Sequence, residues 1–241
     1  MRVLIGEIVA GTFSEGELLP KGEDLAAQFD VSVGVVRECL LGLQERGLVE
    51  VRHGHGTIVK AEGEWGRFDP DVLAALLGGS HAAGVLGEYL ECRRVLEVEA
   101  AGLAAERATP EAVDGVSGAF QRMRATAERA RVNRAAEPHY HEADIAFHRA
   151  VVRAAGNPTL GQMTAPIHRA LATTFGALAR PQQRFQRGLP EHERILDAIA
   201  AGHAEAARAA MRDHLLTVEG YLSEYAARGA RRRPASAVPQ L

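Results

Sequence analysis

From Leu18 to Val59 the chain carries two short apolar-periodic runs almost touching each other, followed by two alternating segments around a glycine-rich turn, and few folds accommodate that order. Pro20 ends an extended lead-in. Leu25, Ala26 and Phe29 then recur at helical spacing until Asp30 breaks the pattern. Ser32 is a suitable N-cap for a second helix, along which Val36, Leu40 and Leu43 repeat on one face until Gly47 stops it. With only Asp30-Val31 between them, the helices must cross steeply, as in a helix-turn-helix. Val49-Glu50-Val51-Arg52 and Thr57-Ile58-Val59 alternate like strands on either side of His53-Gly54-His55-Gly56, which adds a wing.

The remaining residues read differently. Beyond a polar linker over 62–69 containing Gly63 and Gly66, the chain is rich in Ala and Leu, with almost no β-branched alternation. Gly and Pro breaks divide it into about seven helices, near 70–78, 84–107, 110–131, 138–155, 158–179, 188–201 and 204–227. The expected architecture is mainly α: a winged helix-turn-helix over 1–61, then an all-α antiparallel bundle over 70–227 and a disordered tail over 228–241. Cys39 and Cys92 have no metal-type spacing and read as small apolar residues in a reducing compartment. No basic segment leads into an apolar run at the N-terminus, and no apolar stretch approaches about 18 residues, which points to a cytoplasmic protein without membrane contact.

Polar residues of the helical part fall into a suggestive pattern. Asp144 and His148, four apart on one expected helix, project from the same face. His192 lies ten residues before Gly202 and His214 twelve after it, so in an antiparallel pair turning near Gly202 the two are nearly level. An Asp and three His converging in a bundle suit a divalent transition metal such as zinc, nickel or manganese. His141, three residues before Asp144, is a rival ligand, whereas His81, His139, His168 and His203 have no such placement. Arg93 falls within the apolar stripe Leu86, Leu90, Leu96, Ala100, Leu103 and needs a partner, either Glu97 four residues on or a carboxylate ligand. Asn157 suits a cap or turn as well as a ligand contact.

Two resemblances sharpen these expectations. Leu19-Pro20, Leu25-Ala26, Val31-Ser32, Val36-Arg37-Glu38, Leu40, Leu43, Gly47-Leu48-Val49 and Gly54-x-Gly56-Thr57 resemble the winged helix-turn-helix of GntR-family transcription regulators. The resemblance implies contacts with double-stranded operator DNA from Lys21, Ser32, Arg37 and the wing residues His53, Gly54, His55 and Gly56. Gly22, Glu23 and Val33 depart from the family pattern, and no contact is carried over at positions 23 and 33. The run Asp144-x-x-x-His148, Asn157, His192 with Ile195, Ala198 and Ile199, and His214-Leu215 resembles the effector-binding FCD domain of the FadR subfamily. That domain implies a metal held by Asp144, His148, His192 and His214. It also implies a small carboxylate or sugar-acid effector on Arg93, which lies in a similar Glu-x-Arg-x-x-Leu-Glu pattern, and on Asn157. Together these imply a metabolite-responsive DNA-binding regulator, a repressor and a homodimer, and not an enzyme. A metal sensor and, more remotely, a metal-dependent hydrolase are the alternatives.

Charge adds a condition. Residues 1–61 hold six basic residues against nine acidic ones, the reverse of the usual basic footprint on nucleic acid. Phosphate neutralisation supplies much of DNA affinity, so one such module is expected to bind weakly and specific binding to require two.

Overall fold

The computed structural model describes residues 1–52, 54–79, 82–133, 137–178 and 181–232, which form ten α-helices and one two-stranded antiparallel sheet. They group into two compact units, one spanning residues 1–85 and one from residue 86 onward.

The first unit contains α1 (Arg2–Val9), α2 (Gly22–Phe29), α3 (Val33–Glu45), β1 (Val49–Arg52), β2 (Gly56–Val59) and α4 (Pro70–Gly78). The lead-in expected to be extended opens instead with α1. It buries Leu4, Ile5 and Ile8, an i, i+1, i+4 set that makes one helical face, and it packs against α4. Helix α4 buries Val72, Leu73 and Leu76, and its N-cap Asp69 accepts hydrogen bonds from the Asp71 and Val72 amides.

The boundary expected at residues 62–69 therefore lies elsewhere, because α4 and the stretch before it belong to the first unit. That stretch is held in place. Glu62–Glu64 forms a 3-10 turn, Trp65 Nε1 donates to the Lys60 carbonyl at 3.0 Å, and the Gly66 amide donates to the Arg46 carbonyl at 2.7 Å. Arg46 also pairs with Asp69 at 3.1 Å, which ties the end of α3 to the start of α4. At the point of closest approach sits Gly47, with φ of 71°, where a methyl group would lie 2.5 Å from the Glu64 carbonyl oxygen.

Helices α5 (Ala82–Arg107), α6 (Pro110–Val132), α7 (Glu137–Ala154), α8 (Pro158–Leu178), α9 (Pro181–Ala200) and α10 (Ala204–Arg232) supply the second unit, α5 beginning just before it. Helix α6 packs on α7 and α9, α7 on α8, and α9 on α10. Val116, Phe120, Met123, Phe147, Val151, Ile195, Ile199, Met211 and Leu215 belong to one apolar cluster in it. The α9–α10 turn closes at Gly202, φ of 71°, as the hairpin reading requires. Helix α10 continues to Arg232, so residues 228–232 of the expected disordered tail are helical, and residues 233–241 lie outside the described residues.

Candidate functional site

The steep helix pair of the first unit is made by local chemistry. Asp30 ends α2 in the left-handed conformation at φ of 51°, its amide and that of Val31 both reaching back to the Ala26 carbonyl. Ser32 then caps α3, its Oγ accepting from the Val35 amide at 3.3 Å. Val36 and Leu43 turn inward, while Val33, Val35 and Arg37 are exposed at the start of the helix. Lys21 and Ser32 are exposed beside them. In the sheet Val49 faces Val59 and Arg52 faces Gly56, and a bridge from Leu18 to Ile58 adds a third short segment at its edge. Gly54, His55 and Gly56 lie exposed at the wing tip, and His53 lies outside the described residues. An exposed helix start beside an exposed hairpin is the arrangement by which winged helices present side chains to a major groove and an adjacent backbone.

In the second unit, Asp144 and His148 on α7, His192 on α9 and His214 on α10 meet in the interior. One ligand atom from each lies within 4.8 Å of all the others, and all four residues are buried. Nε2 of His192 is 3.2 Å from Nε2 of His148 and 3.2 Å from Oδ1 of Asp144. The other ring nitrogens define the tautomers. His192 Nδ1 donates to the Gly188 carbonyl at 2.6 Å, His214 Nδ1 to Glu191 Oε2 at 2.9 Å, and His148 Nδ1 faces Glu97 Oε2 at 2.6 Å. A carbonyl and a carboxylate cannot donate, so His192 and His214 carry a proton on Nδ1, and all three histidines turn Nε2 inward.

Burial, followed by the nearby Arg93 charge, lowers the His148 pKa to about 3 despite Glu97 and Asp144. Burial, and then His192, likewise hold His214 well below the usual imidazole value. These are neutral imidazoles, the ligating form. Phe147 stands edge-on to His148 and His192, its ring centroid 4.9 Å from that of His192, and walls the cluster on one side. Three inward lone pairs and a carboxylate match a divalent metal by donor chemistry. The His214 Nε2 is buried without a hydrogen-bond partner, a deficit that a cation would remove. Nitrogen ligands at about 2.1 Å from one ion stand roughly 3.0–3.4 Å apart, which the 3.2 Å between His148 and His192 satisfies.

Other expected residues divide. Arg93, only 3% exposed, meets Glu97 through Nε at 2.9 Å while its Nη2 is buried with no hydrogen-bond partner among the described residues. Asn157 is exposed and caps α8, its Oδ1 accepting from the Thr159 and Leu160 amides, so its position does not support an effector contact. His141 is buried with Nε2 at the Leu171 carbonyl and is not one of the four converging residues. Sequence reasoning offered Glu97 as a partner for Arg93, a pair the structure contains, but passed over its contacts with the histidines, and Glu191 and His168 altogether. Glu97 is 71 positions from His168, whose Nε2 lies 2.6 Å from its Oε1, and no local spacing signals such a contact. Cys92, read as a packed apolar residue, is exposed, and both cysteines are free. No helix among the described residues is long and apolar enough to cross a membrane.

Two family models match the chain. The model of the gntR family of bacterial regulatory proteins matches residues 2–59, and that of the FCD domain matches residues 88–217. HTH-type transcriptional regulator LutR of Bacillus subtilis is 34% identical over 220 residues, covering 89% of this chain and 95% of LutR. The galactonate operon transcriptional repressor of Escherichia coli is 28% identical, with 85% and 86% covered. Among solved structures, that of Lar from Listeria monocytogenes shares the fold with a TM-score of 0.59 at 17% identity, covering 92% of this chain and 94% of that one. An N-terminal gntR winged helix joined to an FCD domain makes this chain a member of the GntR family of transcription regulators.

Proposed function

We propose that the protein is a metabolite-responsive repressor of the FadR subfamily. In this reading a homodimer presents two winged heads to operator DNA, through Lys21, Ser32, Arg37 and the wing at 53–56. The helical domain holds a divalent transition metal, zinc in the first instance, on Asp144, His148, His192 and His214. The carrying observation is that four ligand atoms converge within 4.8 Å in a buried site, with the Nδ1 atoms of His192 and His214 already engaged.

The effector is a small carboxylate or sugar acid. Its oxygens complete the metal's coordination, and Arg93, whose buried Nη2 lacks a partner, receives the carboxylate. The similarity to a galactonate operon repressor supports the sugar-acid class. Binding energy that differs between two arrangements of the dimer shifts operator affinity. The acidic balance of residues 1–61 supports the need for two heads.

A thermal-shift screen of sugar acids and short carboxylic acids, with and without zinc, tests the reading directly, because a ligand of the folded state raises the melting temperature. At least one acid should stabilise the protein only when zinc is present and weaken its hold on operator DNA in a mobility-shift assay. His148→Ala should bind the operator normally yet lose both responses. A hit that acts identically on His148→Ala, or no hit with zinc present, rejects the proposal, and release from DNA by zinc alone would make the metal itself the signal.

A further inference from the structure

Glu97 lies in the interior of the helical domain without being one of the four converging ligands, and it is completely buried. Three donors converge on its two oxygens. Arg93 Nε and His168 Nε2 approach Oε1 at 2.9 and 2.6 Å, and His148 Nδ1 approaches Oε2 at 2.6 Å. Both oxygens are thus approached by side-chain nitrogens inside a completely buried site, Oε1 by two of them and Oε2 by one.

We infer that Glu97 is the positioning residue of the site, holding His148 and His168 in opposite tautomers and gripping Arg93 by Nε alone. His148 carries its proton on Nδ1, leaving Nε2 for the metal. His168 carries its proton on Nε2, leaving a buried Nδ1 with no hydrogen-bond partner. Arg93 keeps Nη2 uncommitted. One carboxylate thereby ties the orientation of a metal ligand to that of the guanidinium offered to an anion, so metal affinity and anion affinity are linked through it. The inference rests on the metal reading above.

Glu191 supplies the contrast. It holds His214 Nδ1 at 2.9 Å, with its side chain 13% exposed. An amide at position 191 still offers His214 an oxygen. At position 97 an amide offers one oxygen and an NH2 group to three donors, so one donor must face another.

Two measurements on the full chain decide the matter. In a zinc-binding titration, Glu97→Gln should lose about 10–100-fold in affinity, and Glu191→Gln a few-fold at most, although each removes one negative charge. Equal losses in the two variants, or none in Glu97→Gln, overturn the inference. Long-range proton–nitrogen NMR of the metal-free wild-type protein needs no variant. It should find His148 protonated on Nδ1 and His168 on Nε2, and a shared tautomer overturns the inference. Zinc binding by Asp144→Ala at wild-type affinity would instead reject the metal site itself, with the NMR result still deciding the tautomers.

Discussion

Among the described residues, Thr57 is the one buried polar side chain of the first unit, whereas the second buries two carboxylates, a guanidinium, five imidazoles, two threonines and two tyrosines. The first unit displays its functional groups. Lys21, Ser32, Arg37, Gly54, His55 and Gly56, the residues proposed to meet DNA, stand in water over a core of Leu, Ile and Val. The second unit internalises them, so every polar atom there needs a partner in a low-dielectric interior. A surface that waits for DNA tolerates local change. A buried ligand set is sensitive to single protons and single atoms.

The contrast breaks most readily where the first unit depends on apolar cover. A fragment of residues 1–61 lacks Val72, Leu73 and Leu76, which α4 contributes to the buried residues around α1. Each such side chain contributes about 1.5–3 kcal/mol when buried, so this fragment should be several kcal/mol less stable in urea than one of residues 1–79. Equal stabilities would show that α4 contributes nothing to the head and would move the boundary back to 62–69.

Acid should separate the units next. The folded His148 pKa is depressed to about 3, so as pH falls below the ordinary imidazole value the unfolded chain takes up a proton that the folded chain refuses, and stability falls. The loss in metal-free protein should accumulate between about pH 6.5 and 3 and amount to a few kcal/mol. Glu97 acts in the same direction, since its lowered pKa stabilises the fold above the ordinary carboxylate value and that stabilisation is lost on acidification. His148→Gln should flatten the upper part of this dependence in chemical denaturation followed at several pH values. An unchanged slope would mean that the cluster is not neutral in the folded state.

The smallest effect belongs to the displayed surface. Ser32→Ala removes the α3 cap and should cost about 1 kcal/mol of stability, with zinc affinity unaltered. A change in zinc affinity would contradict the separation of the two chemistries.

How much of this was legible in the chain depended on sequence distance. Asp144 and His148 are one turn apart, and His192 and His214 nearly symmetric about Gly202, so helical period and a single turn brought all four to one level. The capping of α3 and the glycine wing were likewise local. Glu191, and the contacts of Glu97 with His148 and His168, were hidden because a carboxylate on a helix looks like any solvated charge until its tertiary neighbours are known. Helix α1 was hidden by brevity: eight residues with Gly6 at their centre and no side-chain cap give a weak local signal, and packing on α4 supplies what local propensity lacks. Missing α1 also misplaced α4, whose apolar face otherwise has no owner in the first 61 residues.

The close passage of Gly47 beneath the Glu64 carbonyl carries a consequence for how such a chain can diverge. Even alanine there needs both a left-handed backbone and a displaced carbonyl, and a methyl group at Gly66 would lie 2.9 Å from the Arg46 carbonyl oxygen. In a saturation library selected for repression, these two glycines should be depleted of substitutions as completely as the proposed metal ligands, although neither carries a side chain that could bind one. Intolerance in such a library would thus mark two kinds of position, those that touch a ligand and those that let one stretch of backbone slip past another.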